Sequence, residues 1–197
     1  DISDPANPGA PSYTATGGWA NEIDINGSHA YLGNGTPDGL AIIDISNPAS
    51  PGTPVKQNTN GFGYGVSVVG NYAYIADGNS GLAIIDISNP ASPSIAGLRN
   101  ITGGSAKDVE VKGNYAYFAA TGKFVIIDIS DPSNPGTPVE ESTTNANGIE
   151  VKGNYAYLGS ELNGLEVWSL NGGWTIQDAA GNDATVTLAT PGATNSL

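Results

Sequence analysis

Residues 82–90 read Leu-Ala-Ile-Ile-Asp-Ile-Ser-Asn-Pro, and the same segment stands at 40–48. A close copy, Phe-Val-Ile-Ile-Asp-Ile-Ser-Asp-Pro, occupies 124–132, and a degraded one runs from Leu165 to Leu170. The aspartates of the first three copies are spaced 42 residues apart: Asp44, Asp86 and Asp128. A period of about 40 residues is typical of solenoids, propellers and other repeat arrays. This repeat therefore decides the fold class.

A second segment recurs in phase with the first, as Gly-Ser-His-Ala-Tyr at 27–31 and as Gly-Asn-Tyr-Ala-Tyr at 70–74, 113–117 and 153–157. Before it, runs such as Val66-Ser-Val-Val69 alternate apolar and polar residues, which is the period of a β-strand. The tyrosine segment and the almost continuously apolar 82–87 predict two further strands. The proline-rich turn at 89–93 ends the third strand. A weaker fourth strand fits at about 95–100, with equivalents near 54–59 and 138–142.

Four strands of about five residues, with connections of about four or five, fill close to 40 residues. The repeat thus predicts an all-β protein, a β-propeller of four-stranded blades with about four blades in this chain. No stretch has the 3.6-residue periodicity of a helix, which excludes helical solenoids and leucine-rich horseshoes. A right-handed β-helix is a lesser alternative.

The segment Gly-Asn-Tyr-Ala-Tyr-Ile-Ala-Asp-Gly at 70–78, followed by Leu-Ala-Ile-Ile-Asp-Ile-Ser-Asn-Pro-Ala-Ser-Pro at 82–93, resembles the LVIVD repeat of bacterial and archaeal β-propeller proteins. The resemblance covers about residues 1–170 and weakens at the last copy, where Val-Trp-Ser-Leu stands at 167–170. It implies a propeller that is often displayed on, or exported beyond, the cell envelope. It implies no set of catalytic residues.

The repeat predicts domain boundaries and leaves the closure of the ring open. We expect propeller repeats over 1–170, with a tail at 171–197 that is an extra strand, a linker or an assembly arm. The repeat units are placed at about 17–60, 61–103, 104–144 and 145–170. A surplus outer strand at about 10–16 either completes the fourth blade of the same chain or belongs to a larger ring, such as two chains forming eight blades.

Composition limits the partners. The net charge of −13 repels phosphate backbones, so we expect no nucleic-acid partner. No segment has the roughly 18 consecutive apolar residues of a membrane span. The chain has no Cys and no Met, few charged residues and much Gly, Asn, Ser and Thr. We therefore expect an extracellular or cell-surface protein from which a leader was removed, or a piece of a longer chain.

Single candidate residues have structural explanations. His29 is the only histidine, and it stands where the later repeats have tyrosine. We therefore interpret His29 as a packing residue and not as a catalytic base. The repeated aspartates precede Ser-Asn-Pro or Ser-Asp-Pro turns. An Asp side chain can accept hydrogen bonds from the backbone N–H groups of such a turn. We expect them to fix those turns. No catalytic residues are predicted.

Four polar residues share one register on the first strands of the blades: Asp24, Ser67, Glu110 and Glu150. The first strand of a propeller blade lines the axis. Three carboxylates and a hydroxyl around a channel are ligands that suit Ca²⁺, which makes Asp24, Glu110 and Glu150 candidate metal ligands. The alternative is that they are hydrated positions facing channel water. The protein needs no other cofactor in this interpretation.

Aromatic residues cluster before the first strands of the first two repeats. Phe62 and Tyr64 lie within Gly-Phe-Gly-Tyr-Gly at 61–65, and Trp19 stands at the corresponding place one repeat earlier. Exposed rings beside Asn and Asp can stack on sugars, so Trp19, Phe62 and Tyr64 are candidate binding residues. The alternative is packing between blades, and the corresponding loops at 103–105 and 145–147 lack aromatics.

Together these features predict a non-catalytic, exported binding or assembly module that contacts other proteins or copies of itself. The alternatives are a carbohydrate-binding propeller, with glycans as ligands, and a structural subunit of a surface filament or layer. A propeller hydrolase acting at an axial cation is less favoured, since one His and no Cys leave few catalytic groups.

Overall fold

The computed structural model describes residues 6–7, 9–170, 175–177 and 183–185. Blade 1 is a four-stranded antiparallel sheet in the order β1-β2-β3-β4. Its strands are β1 (Glu22–Asn26), β2 (His29–Gly33), β3 (Leu40–Asp44) and β4 (Val55–Gln57). One helical turn, α1 (Gly35–Asp38), connects β2 to β3.

Blades 2 and 3 repeat this order with longer fourth strands. Blade 2 contains β5 (Val66–Val69), β6 (Tyr72–Ala76), β7 (Leu82–Asp86) and β8 (Ser94–Arg99). Blade 3 contains β9 (Ala106–Lys112), β10 (Tyr115–Ala120), β11 (Lys123–Asp128) and β12 (Val139–Ser142).

Blade 4 has three strands among the described residues: β13 (Ala146–Lys152), β14 (Tyr155–Ser160) and β15 (Gly164–Ser169). The tail adds a two-stranded hairpin of β16 (Thr175–Gln177) and β17 (Asp183–Thr185). The remainder of the tail, with most of the alternating segment at 184–189, lies outside the described residues. The prediction of an all-β propeller with four blades in this chain is confirmed.

The hairpin between the first two strands of every blade has the same glycine turn. Gly27, Gly70, Gly113 and Gly153 have φ between +58° and +60°. Other residues rarely adopt this left-handed conformation, because a Cβ atom would clash with the following carbonyl. The glycine therefore fixes the register in which the tyrosine strand pairs with the first strand.

The core lies between consecutive blades. Val66, Ile75 and Ile85 of blade 2 pack on Tyr31, Leu40 and Ile42 of blade 1 in one apolar cluster. Two similar clusters join blade 2 to blade 3 and blade 3 to blade 4. The third strand contributes to the clusters on both sides of its blade, which explains its continuous apolar sequence.

The N-terminal segment differs from its sequence prediction. Residues 9–20 form no strand, although 10–16 have the pattern of an outer strand. An outer strand needs a third strand beside it for its ladder of hydrogen bonds, and among the described residues this segment pairs with none. The segment lies instead against the loop that follows β3, where Ser12 donates a hydrogen bond to the Pro48 carbonyl.

No helix in the part of the chain that the structure describes has the length and apolar character needed to cross a membrane.

Candidate functional site

The first strands of the four blades surround an axial cavity of about 400 Å³. Asp24, Ser67, Glu110 and Glu150 all line it. Each of these residues pairs across the sheet with the second tyrosine of its hairpin, so the four occupy one register. The structure thus brings together the polar ring that the sequence predicts.

Carboxylates on the axis bind the backbone of the next blade. The Asp24 carboxylate accepts a hydrogen bond from the Val68 N–H at 2.7 Å, which joins blade 1 to blade 2. Asp108 of blade 3 accepts one from the Ile149 N–H of blade 4, also at 2.7 Å. Hydrogen bonds to a charged acceptor are stronger than neutral ones. These acidic side chains therefore act as clamps between first strands.

Glu22 is an axial residue that sequence reasoning missed. It accepts a hydrogen bond from the Val66 N–H at 3.0 Å, as a further clamp between blades 1 and 2. Partial burial is the largest of the causes that raise the pKa of Glu22 to about 8. The charge of Asp108 and a hydrogen bond with Asp108 also raise this pKa. The Glu22 carboxyl therefore holds its proton near neutral pH. The signal was present in the sequence, since Glu22 and Asp108 precede Asp24 and Glu110 by two residues.

Glu110 lies at the centre of the acidic ring. Burial raises its pKa, and the charges of Glu150, Asp108 and Asp24 raise it further. Within the described residues no three acidic or histidine side chains converge in an arrangement that would hold a metal ion. Ca²⁺ binding by Asp24, Glu110 and Glu150 stays a prediction, and a thermal midpoint unchanged by both EDTA and Ca²⁺ would contradict it.

A second cavity, of about 480 Å³, opens at one end of the axis. It is lined by Asn21, Glu22, Tyr64, Lys107, Asp108 and Asn147. The Lys107 ammonium lies 3.9 Å from the centre of the Tyr64 ring, which is the geometry of a cation–π contact. This mouth cavity combines one aromatic wall with amides and charges of both signs.

The three predicted binding aromatics form one cluster beside the mouth cavity. The Phe62 ring lies 4.5 Å from that of Tyr64 and meets Trp19 edge-on at 6.1 Å. Trp19 is 75% exposed, whereas Phe62 is half-buried against Gly35 of the helical turn. Phe62 therefore packs between blades, and Trp19 is the ring of the three with the most surface to offer a ligand.

The histidine and the repeated aspartates have the structural roles expected from the sequence. His29 lies 6.4 Å from Tyr31, and the equivalent tyrosine pairs of the other blades are separated by 6.4 to 6.5 Å. The Asp86 carboxylate accepts the Ser88 N–H at 2.8 Å, and Asp44 and Asp128 make the same bond to Ser46 and Ser130. The bonds from Ser88 lower the pKa of Asp86.

The two ends of the blade array carry exposed apolar side chains that sequence reasoning missed. On blade 1, Ile23 and Ile25 are exposed, Ile23 by 55%, although the blade 2 equivalent of Ile23, Val66, is only 4% exposed. On blade 4, Leu165 and Val167 are exposed, Val167 by 52%. We call these surfaces the blade 1 face and the blade 4 face.

The open faces are the surfaces that internal blades use to pack. The blade 4 face carries the equivalents of Leu40 and Ile42, which are buried between blades 1 and 2. The blade 1 face carries the equivalents of Val66 and Val68, which pack on that same cluster. The two faces are therefore complementary in the way that consecutive blades are, and each lacks its neighbour.

A repeat family model matches all four blades of the chain. The LVIVD repeat model matches residues 17–59, 61–100, 103–139 and 144–167, which together cover more than half of the sequence. The chain belongs to the LVIVD repeat family. The resemblance seen in the sequence is thus confirmed, and this LVIVD protein matches no curated relative.

Solved structures show the same fold at low sequence identity. The computationally designed Ika4 protein is similar with a TM-score of 0.65 and 10% identity, over 83% of this chain and 99% of the designed one. The designed Ika8 protein matches with a TM-score of 0.61 and 11% identity over 85% of this chain. PorZ, a surface component of the type-IX secretion system of Porphyromonas gingivalis, matches with a TM-score of 0.52 and 14% identity over 85%. This LVIVD chain spans 51% of Ika8 and 22% of PorZ.

Proposed function

We propose that this protein is a non-catalytic assembly module that contacts other polypeptide chains through its two open blade faces. The observation that carries the proposal is the exposure of Ile23 and Val167 at positions that internal blades bury. Contiguous exposed apolar surface on a folded protein is typical of a contact site. Burial of each such side chain would contribute roughly 1.5–3 kcal/mol.

The site chemistry supports a role without catalysis. The axial carboxylates are engaged by backbone N–H groups of the next blade, as at Asp24 and Asp108. The single histidine packs as the tyrosines of the other repeats do. Function in such an array depends on rigid surfaces and not on a reactive group.

We propose that the module acts outside the cell or on its surface. The absence of Cys, the low content of charged residues and the abundance of Gly support this placement. Fractionation of cells that express the protein from its own gene tests it, because recovery in the cytosol alone would contradict an exported role.

The assembly proposal predicts the effect of a charge placed on the blade 4 face. The wild-type protein is expected to show a native mass above 19.9 kDa at micromolar concentration, and Val167→Asp is expected to return it to the monomer. The reason is that an aspartate would lose its hydration at a packed interface without gaining a partner. Sedimentation over a range of concentrations measures the mass.

Leu162→Asp is the matched control. Leu162 is 79% exposed but lies in the turn between β14 and β15, away from the blade 4 face. This variant should assemble as the wild type does. A wild-type protein that stays monomeric at high micromolar concentration, or a Val167→Asp variant that assembles normally, would contradict the proposal.

Carbohydrate binding at the mouth cavity is a second candidate function. The observation that favours it is the exposed Trp19 ring beside a cavity with Asn21, Asn147 and Lys107 on its walls. Sugars bind where an aromatic face and hydrogen-bonding side chains adjoin. On a glycan array, any signal should disappear in Trp19→Ala and persist in Tyr13→Ala, a ring that is equally exposed elsewhere. An array without signal would reject this function.

A further inference from the structure

Residues 12–14 make the contacts of an outer strand that belongs to a preceding blade. The Ser12 hydroxyl donates to the Pro48 carbonyl at 2.6 Å, and the Thr14 hydroxyl donates to the Gly52 carbonyl at 3.1 Å. Both carbonyls belong to the loop that follows β3 in blade 1. The segment is thus held against blade 1 without pairing with any of its strands.

The outer strand of blade 2 makes the same approach to blade 3. Pro132 is the repeat equivalent of Pro48, and a Cβ atom added to Gly97 of β8 would collide with the Pro132 carbonyl. The Arg99 guanidinium of β8 donates to the neighbouring Pro135 carbonyl. Residues 12–14 therefore occupy, relative to blade 1, the position that β8 occupies relative to blade 3.

The sequence also places residues 12–14 at the outer-strand position of the repeat. Pro-Gly-Ala-Pro at 8–11 matches Pro-Gly-Thr-Pro at 51–54 and at 135–138. Ser12 is thus the equivalent of Val55 in β4, and Thr14 is the equivalent of Gln57. Val55 pairs with Ile42 and Gln57 pairs with Leu40 in blade 1.

Within the described residues, blade 4 has no fourth strand of the kind that this segment would supply. Among the described strands, β15 pairs with β14 alone, whereas the third strand of every other blade also pairs with a fourth. The equivalents of Ile42 and Leu40 in β15 are Val167 and Leu165, which are exposed. In the described part of the chain, a blade without a fourth strand thus lies at one end and an outer segment without a third strand lies at the other.

We propose that two copies of the chain close one ring, head to tail, with residues 12–14 of each copy forming the outer strand of the other copy's blade 4. This arrangement rests on the proposed assembly function and names its partner as a second copy. The blade 4 face of each copy packs on the blade 1 face of the other, so all four open faces of the pair are covered. Ser12 pairs with the partner's Val167 and Thr14 with the partner's Leu165.

The clamps on the axis give the contact its direction. Asp24 binds the Val68 N–H of the following blade. The repeat equivalent of Asp24 in blade 4 is Glu150, and the repeat equivalent of Val68 in blade 1 is Ile25. The Ile25 N–H donates a hydrogen bond to the neighbouring Asp24 carboxylate at 2.7 Å. A head-to-tail contact would place the partner's Glu150 carboxylate beside this N–H group, as Asp24 lies beside the Val68 N–H group.

The size of the contact is sufficient for a stable pair. Three or four strands about 4.8 Å apart and five residues long give a face of roughly 240–320 Å². Two interfaces contain four such faces, so the ring would cover on the order of 1,000–1,300 Å². Specific interfaces begin at about this area, before the hydrogen bonds of the exchanged strand are added.

The negative charge of the protein opposes dimer formation and predicts how the dimer responds to salt. Each copy carries a net charge of −13, so two copies repel each other through water. Salt screens this repulsion while leaving apolar contact intact. The dimer should therefore strengthen as salt is added, which is opposite to the behaviour of a contact held by ion pairs.

A pair of cysteines tests the arrangement, since the chain contains no other cysteine. Ser12→Cys combined with Val167→Cys should form, under mild oxidation, a dimer that withstands denaturant and is released by a reducing agent. Directly opposed residues of antiparallel strands have the Cα separation that a disulfide needs. Each single variant is the matched control and should remain a monomer on the denaturing gel.

The outcomes separate the ring from the broader assembly proposal. A disulfide within one chain would show that the four blades close on themselves, and a ladder of higher multimers would show an open head-to-tail polymer. A native dimer without the disulfide, or a dimer linked by one single variant, would show pairing in another arrangement. Each of these overturns the inference. Only a monomer at every concentration overturns the proposed function as well.

Discussion

Replacing Phe118 by alanine is expected to lower the free energy of unfolding by about 3–5 kcal/mol. Phe118 lies on β10 and is fully buried in the cluster that joins blades 2 and 3. Its neighbours are held by sheet hydrogen bonds on both sides, so the blades cannot close the cavity that the ring leaves. The loss therefore includes both the transfer of the side chain and the empty volume.

Urea unfolding followed by circular dichroism measures this loss. Leu162→Ala is the matched control, because Leu162 is exposed in a turn and its removal should change stability by less than about 0.5 kcal/mol. If blades 2 and 3 unfold together with the rest, the slope against urea stays the same in both variants. A loss below about 1 kcal/mol for Phe118→Ala would show that the two blades do not share a packed core.

The effect of Asp77→Asn on the free energy of unfolding is expected to depend on pH. At pH 7 it should be more stabilising than at pH 4, by on the order of 2–3 kcal/mol. Asp77 follows β6 and is fully buried, with the Thr59 hydroxyl donating to Oδ1 at 2.5 Å. Oδ2 is buried near Gly61 without a well-formed hydrogen bond. Burial raises the pKa of Asp77 to about 6, against the lowering effect of Thr59 and Gly61.

The sign follows from the order in which the two states lose the proton. The unfolded chain releases it near pH 4 and the folded chain near pH 6, so the stability of the wild type falls as the pH rises between these values. Asparagine has no proton to lose and does not incur this fall. The first repeat already carries Asn34, fully buried, at the equivalent position, which indicates that an amide fits there.

Unfolding at several pH values measures the difference between wild type and variant. Taking this difference isolates Asp77 from Glu22 and Glu110, whose pKa values are also raised. Asp86→Asn is the control of opposite sign: hydrogen bonds from Ser88 lower the pKa of Asp86, so its stabilising effect is present at neutral pH and lost on acidification. A difference for Asp77→Asn that does not change between pH 4 and 7 would contradict the assignment.

The repeat made most of the fold predictable from the sequence. The glycine at position 70 and its equivalents fixed the hairpins, and the apolar run at 82–87 indicated a strand covered on both faces. The axial register of Asp24 and Glu110 followed from alternation within one strand. These features depend on local geometry that each repeat contains in full.

What the sequence did not reveal depends on contacts between blades. Ile25 and Val68 have the same local pattern, and only the position of blade 1 at the end of the array leaves Ile25 exposed. The raised pKa of Glu22 depends on burial and on Asp108, which requires the first strands of blades 1 and 3 to approach each other across the axis. The segment at 10–16 has the pattern of an outer strand, but it pairs with no strand in the part of the chain that the structure describes.

The clusters between blades also bear on how such chains can change length during evolution. The blade 1 face and the blade 4 face have the same chemistry as the surfaces that join internal blades. Duplication or deletion of one 42-residue unit inside the gene would leave both ends as they are. The number of blades can therefore drift while the joining surfaces are conserved, and selection would act on ring circumference and on the width of the axial channel.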